Sequence, residues 1–172
     1  MRSLPIFIAA AVLSSRETAR EPVGGPPTPL IDSTGRQIGT VAVWQTNGGV
    51  SFHVNASGLP HGLHGIHVHP IGRCDPPDFA SAGTHWNPTG KQHGLNNPQG
   101  PHAGDLPNVE VAANGVLSQT VVLPNATLAQ LLDADGSSIM IHANADDYVS
   151  QPSGNSGPKI ACAVIGTGPV LR

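Results

Sequence analysis

Five of the nine histidines in this 172-residue chain, His67, His69, His85, His93 and His102, fall with Asp105 inside one short stretch. Imidazoles and a carboxylate are metal ligands, and their spacing suits that use. His67 and His69 stand two apart in GIHVHP. Side chains alternate along a strand, so one strand there would turn both rings to one face and send Ile66 and Val68 to the other. His85, His93, His102 and Asp105 are threaded through GTHWNPTGKQHGLNNPQGPHAGD, where glycine and proline are too dense for helix or sheet. A loop of about twenty residues without secondary structure needs something besides packing to hold it. Three imidazoles and a carboxylate make a closed tetrahedral zinc site, which would supply that hold. The His67–His69 pair needs further partners, and Cu(II) favours a tetragonal set of nitrogens. His142, at the end of the apolar run SSIMIH, is the natural third, and His85 would be a fourth if its two ring nitrogens bind different metals. A lone histidine is more often a hydrogen-bonding residue than a ligand; six of them with an aspartate at usable spacings make accident a poor account. His53 reads as structural or solvent-facing and His61 as a surface residue. His64, on the side of Ile66 and Val68, reads as a backbone anchor.

The elements that must position these residues are short strands. Leu30 to Asp32 reads as a first strand held to an edge by Pro29. In Arg36 to Gln45, alternation puts Ile38, Thr40, Ala42 and Trp44 on one face and Gly39, Val41 and Val43 on the other. Thr46 to Gly49 then turns the chain into Val50 to Asn55, making a hairpin. Leu106 to Ala113 and Val116 to Leu123 form a second hairpin over Asn114-Gly115, a strong two-residue turn signal. Thr127 with Gln130 three residues on forms a capping box for one short helix, Leu128 to Asp133, ended at Gly136. Ser137 to His142 and Lys159 to Ile165 read as the last strands. About eight short strands separated by turns predict an all-β chain: an eight-stranded antiparallel Greek-key sandwich or flattened barrel with long metal-binding loops. The long connections, Ile71 to Leu106 and Ala143 to Pro158, are expected to carry most of the function.

Composition agrees. The chain is 38% hydrophobic but only 3% aromatic and 11% charged, with 21 glycines and 17 prolines, which favours strands and turns over helices. A net charge of −3 without a basic run makes nucleic acid an improbable partner. No apolar run approaches the ~18 residues of a membrane span. At the N-terminus, Arg2 followed by Leu4 to Leu13 resembles a secretory signal peptide, and Arg16 to Pro29 reads as a linker rich in proline, glycine and charge. Residues 1–28 are therefore expected to be leader and linker, residues 29–172 one domain, and the destination periplasmic or secreted.

In order along the chain come G-I-H-V-H, the histidine of S-A-G-T-H, K-Q-H, P-H-A-G-D-L, I-H-A-N-A-D-D and G-N-S-G-P-K-I-A-C. From Pro29 to Ile165 this resembles the copper/zinc superoxide dismutase family in its bacterial secreted branch. The resemblance implies that His67, His69 and His142 bind copper, that His85 bridges, and that His93, His102 and Asp105 complete a zinc site. It implies that Asp146 links His67 to His93, and that Cys74 and Cys162, the only cysteines, form a disulfide, as suits a secreted protein. Lys159 stands where most of the family has an arginine lining the copper channel and attracting the anionic substrate. The implied reaction is dismutation of superoxide to oxygen and hydrogen peroxide, with one copper and one zinc per subunit. Oligomeric state stays open, a homodimer included. The rival reading is a copper- or zinc-buffering protein without turnover. A zinc hydrolase fits less well, since no Glu or Asp base adjoins the all-histidine set.

Overall fold

The computed structural model describes residues 25–166; of the leader and linker expected over residues 1–28, all but the last four residues lie outside them. The strands are β1 (Thr28–Asp32), β2 (Gln37–Thr46), β3 (Gly49–Ser57), β4 (Gly62–His64), β5 (Ile66–His69), β6 (Val109–Val111), β7 (Val116–Pro124), β8 (Ser137–His142) and β9 (Lys159–Gly166). One short helix, α1 (Leu128–Leu131), and a 3-10 turn at Ala80–Ala82 complete the regular structure. Seven strands form one antiparallel sheet in the order β5-β8-β9-β1-β2-β3-β7, and β4 pairs with β6. Because β4 runs on into β5 and β6 turns tightly into β7, the small pair joins the two ends of the curled sheet. The expected all-β antiparallel fold is the observed one. The ninth strand arises because the run expected as one ligand strand is interrupted at Gly65. There β4 leaves β6 and β5 takes up β8.

Gly65 sits at a close approach: a Cβ added there would stand 2.9 Å from the Ser156 side chain and 3.4 Å from Asp146 Cβ. Its N–H donates to Asn144 O at 2.8 Å and its carbonyl accepts from His142 N–H at 2.8 Å, so this gap in the ladder stitches β5 to the Ala143–Pro158 loop.

Inside the curled sheet lie Leu30, Val41, Phe52, Val54, Ile66, Val68, Leu117, Ile139, Ile141 and Ala163. Ile66 and Val68 are fully buried, and each such side chain contributes roughly 1.5–3 kcal/mol, which fixes the strand that carries His67 and His69. The outer face bears a second, smaller cluster of Phe79, Ala82, Met140 and Cys162, covered by the loop after β5. A disulfide joins Cys74 in that loop to Cys162 in β9, with Cα atoms 5.7 Å apart.

Five local expectations are modified. The first strand, β1, is not at an edge but lies between β9 and β2, and Pro29 is tolerated because the stretch paired with β9 begins only at Leu30. In β2, Leu30 pairs with Gly39 but Ile31 with Gln37, so Ile38 is an extra residue in a bulge. The alternation slips by one there, and Ile38 joins Val41 in the core instead of facing away from it. The Asn114-Gly115 signal makes a three-residue connection: Gly115 N–H bonds Ala112 O at 2.8 Å, Ala112 N–H bonds Val116 O at 2.9 Å, and Gly115 takes φ +77. The strand expected over Leu106 to Ala113 shrinks to β6 because Asn108 is engaged by the Ala143–Pro158 loop. Its N–H donates to Tyr148 Oη at 2.7 Å and its amide bonds the backbone of Asp146. The capping box at Thr127 and Gln130 is present, but α1 ends by Leu131 and does not reach Asp133.

Candidate metal centre

On β5 the rings of His67 and His69 lie on the outer face, opposite Met140 and Ser138 of β8. The loop returns along the same strand: Trp86 N–H donates to Val68 O at 2.8 Å and Val68 N–H to Gly104 O at 2.9 Å. This places His85 and Asp105, the immediate neighbours of Trp86 and Gly104, beside His67. Gly104 permits the approach, since a Cβ there would come within 2.5 Å of Val68 O. His142 closes β8, and His64 holds its end, with Nδ1 2.8 Å from the His142 carbonyl and Nε2 2.9 Å from that of Pro60.

Among the described residues two groups of ligand atoms each fall within 4.8 Å: His67, His85, His93 and Asp105, and His69, His85 and His142. His85 belongs to both. Around Asp105 Oδ1 lie His85 Nδ1 at 3.0 Å, His93 Nδ1 at 3.1 Å and His102 Nδ1 at 3.4 Å, and the His85 and His102 Nδ1 atoms are 3.3 Å apart. A tetrahedral ion with bonds of about 2.0–2.1 Å requires ligand atoms about 3.3–3.4 Å apart. The four separations, 3.0–3.4 Å, are close to the edges of such a polyhedron, with the partly exposed His102 as its fourth corner. His67 lies close by, but its Nε2 is 2.7 Å from Asp146 Oδ2 and so is already engaged.

The second group is marked by nitrogens that have no partner. His69 Nδ1 donates to Gly83 O at 3.0 Å and His142 Nδ1 to Gly157 O at 3.0 Å. What remains on the buried rings is His67 Nδ1, His69 Nε2, His85 Nε2 and His142 Nε2, all without a hydrogen-bond partner. Buried polar atoms are almost always paired, so four orphans on rings held by outer hydrogen bonds are the signature of a metal site. The His67 ring stacks on that of His85 with centroids 3.9 Å apart and meets that of His142 at 4.8 Å. Burial first, and then the neighbouring imidazoles, push His67 down to about 4, His69 to about 2 and His142 to about 3, so these rings are neutral donors at ordinary pH.

Asp146 stands behind both groups. Its Oδ1 is 3.0 Å from His93 Nε2 and accepts the Tyr148 N–H at 2.7 Å, while Oδ2 takes His67. Burial would raise the carboxyls of Asp105 and Asp146, but imidazole and backbone donors outweigh it and hold both far below the usual range. Burial likewise opposes a charged His93, yet the two carboxylates flanking its ring prevail and lift it to about 9.

Lys159 reaches this face through a bulge. Ile141 pairs with Ala161 but His142 with Lys159, leaving Ile160 extra, and this turns Lys159 away from the core side shared by Ala161 and Ala163. Its Nζ donates to the carbonyls of Phe79 and Gly83, each at 3.1 Å, and Gly83 O is also the acceptor of His69. A cleft of about 990 Å³ opens here, lined by His69, His85, His102, His142 and Lys159 among others.

Several contributors are invisible to motif reasoning. The Gln151 amide clasps His93, accepting its N–H and donating to its carbonyl, both at 2.9 Å. Asn108 fixes the Asp146 backbone, and Gly154 leaves the space that Asp146 and His93 occupy. For Gln151 and Asn108 the sequence carries no signal; for Gly154 the only hint is a glycine in a long loop. His53, bonded to Thr120 at 3.1 Å, and exposed His61 stand apart from the site.

Residues 37–165 match the family model described as copper/zinc superoxide dismutase. A Cu-Zn superoxide dismutase of Aquifex aeolicus is 43% identical over 142 residues, covering 79% of this chain and 84% of its own. One from Caulobacter vibrioides is 42% identical over 138 residues, covering 76% and 79%. Among solved structures, the Cu/Zn superoxide dismutase from Brucella abortus superposes with a TM-score of 0.70 at 32% identity, over 81% of this chain and 98% of that one. A superoxide dismutase-like protein from Bacillus subtilis superposes at 0.78 with 40% identity, over 82% and 98%. The chain belongs to the copper/zinc superoxide dismutase family.

Proposed function

We propose that this protein is a superoxide dismutase whose copper is held by His67, His69, His85 and His142 and whose zinc is held by His85, His93, His102 and Asp105. The observation that carries this reading is His85: its Nδ1 is one corner of the tetrahedral group, while its buried Nε2 has no partner and belongs with the other orphaned nitrogens. The donor chemistry fits both metals. Four imidazole nitrogens suit Cu(II), and three imidazoles with one carboxylate suit zinc. Bound in the first set, copper supplies one-electron redox chemistry, oxidising one superoxide to oxygen and reducing the next, with two protons, to hydrogen peroxide.

The chain's own residues do the rest. His85 Nε2 would hold one of the two protons between the half-reactions, when it is not bonded to copper, and pass it to the second superoxide. Asp146, bonded to one ring of each set, keeps His67 and His93 from rotating, and the Gly83 and Gly157 carbonyls do the same for His69 and His142. Lys159 supplies positive charge on the cleft wall, where an anion approaching a net-negative protein needs it; dismutases are themselves a standard illustration of such steering. The apolar N-terminal run and the Cys74–Cys162 disulfide support export to an oxidising compartment, the periplasm or the cell exterior. No helix among the described residues is long and apolar enough to cross a membrane.

One relative is named only superoxide dismutase-like, so the ligands and not identity alone must decide between turnover and metal buffering. The test is metal content measured beside a cyanide-sensitive superoxide assay. One copper and one zinc per chain with turnover is expected; stoichiometric copper without turnover would replace the dismutase with the buffering protein.

A further inference from the structure

We propose that Asp78 is a specificity-determining charge that weakens this enzyme's pull on its anionic substrate by opposing Lys159 at the rim of the metal cleft. The inference rests on the dismutase reading above. Histidines aside, Asp78 and Lys159 are the only ionisable side chains among the described residues that line the cleft; the others are small, apolar or neutral polar residues such as Thr84, Asn87 and Pro158. The wall's formal charges therefore cancel, and the chain as a whole is net negative.

The two residues are brought together by one structural device. The 3-10 turn Ala80–Ala82 is preceded by Phe79 at φ +54 and followed by Gly83 at φ +78, and the carbonyls of both receive the Lys159 ammonium at 3.1 Å. Asp78 caps the same turn, its Oδ1 accepting the Ala80 N–H at 3.0 Å. Phe79 is fully buried in one cluster with Met140 and Cys162, so the turn that carries both Asp78 and the carbonyls holding Lys159 is anchored. Asp78 itself is solvent-exposed and has no ion-pair partner within 4 Å among the described residues, which leaves its field directed at whatever enters the cleft. Metal ions at the floor attract anions in any case, so Asp78 modulates entry and does not decide whether it occurs.

The test is Asp78→Asn in the metal-loaded, disulfide-intact protein. Asparagine keeps the Oδ1 acceptor that caps the turn and removes only the charge. An anion passing one unit charge in water at roughly 8–10 Å feels an effect worth about two- to threefold in rate or affinity. We expect kcat/KM for superoxide to rise about two- to threefold at low ionic strength. The equilibrium affinity of azide, titrated spectroscopically, should rise by a similar factor, and both gains should vanish near ~0.5 M salt. Asp78→Ala, which loses the cap as well, should show the same low-salt gain in azide affinity with a lower melting temperature. Unchanged azide affinity and rate in Asp78→Asn, or a gain that persists in high salt, overturns the proposal. A wild-type protein that binds azide at copper without turning over superoxide would overturn the dismutase reading instead, and the azide comparison would still decide the role of Asp78.

Discussion

Gly154 is where a single added methyl group should unfasten both metal sites. A Cβ there would lie 1.7 Å from Asp146 Oδ1 and 2.7 Å from His93 Nε2, with both side chains buried, so neither can swing aside without losing its partners. The residue also takes φ +65, which costs a non-glycine residue about 1–2 kcal/mol. Gly90 has nearly the same backbone, φ +63, but nothing within 4 Å of its would-be Cβ, so Gly90→Ala isolates the conformational cost alone. In Gly154→Ala the displaced carboxylate also loses its bonds to His67 and His93, and hydrogen bonds to charged groups contribute about 1.5–3 kcal/mol each. The sum is about 4–8 kcal/mol, a large part of the roughly 5–15 kcal/mol that holds a domain together. At about 2–4 °C per kcal/mol, Gly90→Ala should lower Tm by roughly 2–8 °C, and Gly154→Ala by roughly 8–30 °C with loss of stoichiometric zinc. Calorimetry with metal analysis on both variants makes the check. Equal Tm shifts and full metal content in both would refute the claim that Asp146 needs that space.

Other perturbations separate the remaining roles. His85→Ala should abolish most dismutase activity and weaken binding of both metals, read by metal analysis after dialysis; full zinc retention would remove His85 from the zinc set. Lys159→Arg should preserve or raise kcat/KM and Lys159→Glu should lower it by about an order of magnitude; an unchanged glutamate variant would show that the carbonyl-held ammonium does not guide the substrate. Zinc uptake by the metal-free protein at neutral pH should release a proton, because His93 is lifted to about 9 and holds its charge until pH rises through that value. Above about pH 9 the release should disappear, as calorimetry in buffers of different ionisation heat would show, and zinc affinity should climb between neutrality and that point.

What the sequence reveals of this fold follows from which forces act locally. Alternation over β3 and β5, the apolar run of β8, the capping box before α1 and glycine in the turns each involve neighbours a few residues apart, and all are legible. The slip at Ile38 is not, because a bulge is decided by two strands together: β1 must pair with β2 on one side and β9 on the other. The shortening of β6 has the same origin. Asn108 looks like a strand residue until a tyrosine forty positions away claims its N–H.

The centre divides along the same line. The proposed ligands are legible as candidates because metals demand particular atoms, and six histidines with an aspartate leave few ways to assign them. Ligand aim is not, since it depends on where each ring's second nitrogen finds a partner: carbonyls of Gly83 and Gly157 for His69 and His142, a carboxylate for His67 and His93. Lys159 shows how far such placement reaches. By strand parity it belongs with Ala161 in the core; one extra residue, Ile160, sends it to the metal face, and a turn fastened beneath the Cys74–Cys162 bridge supplies the carbonyls that receive it. The bridge closes 88 residues of chain, worth about 4–5 kcal/mol on the chain-entropy model. Its effect on function, though, passes through Phe79, which packs on Cys162 and holds Lys159 by its carbonyl. Reduction should therefore depress kcat/KM at temperatures where the sheet is still folded, because the cleft wall loosens before the core that Phe52 and Val54 maintain. A reduced protein with unaltered kcat/KM below its melting range would mean that the turn holds its shape without the bridge.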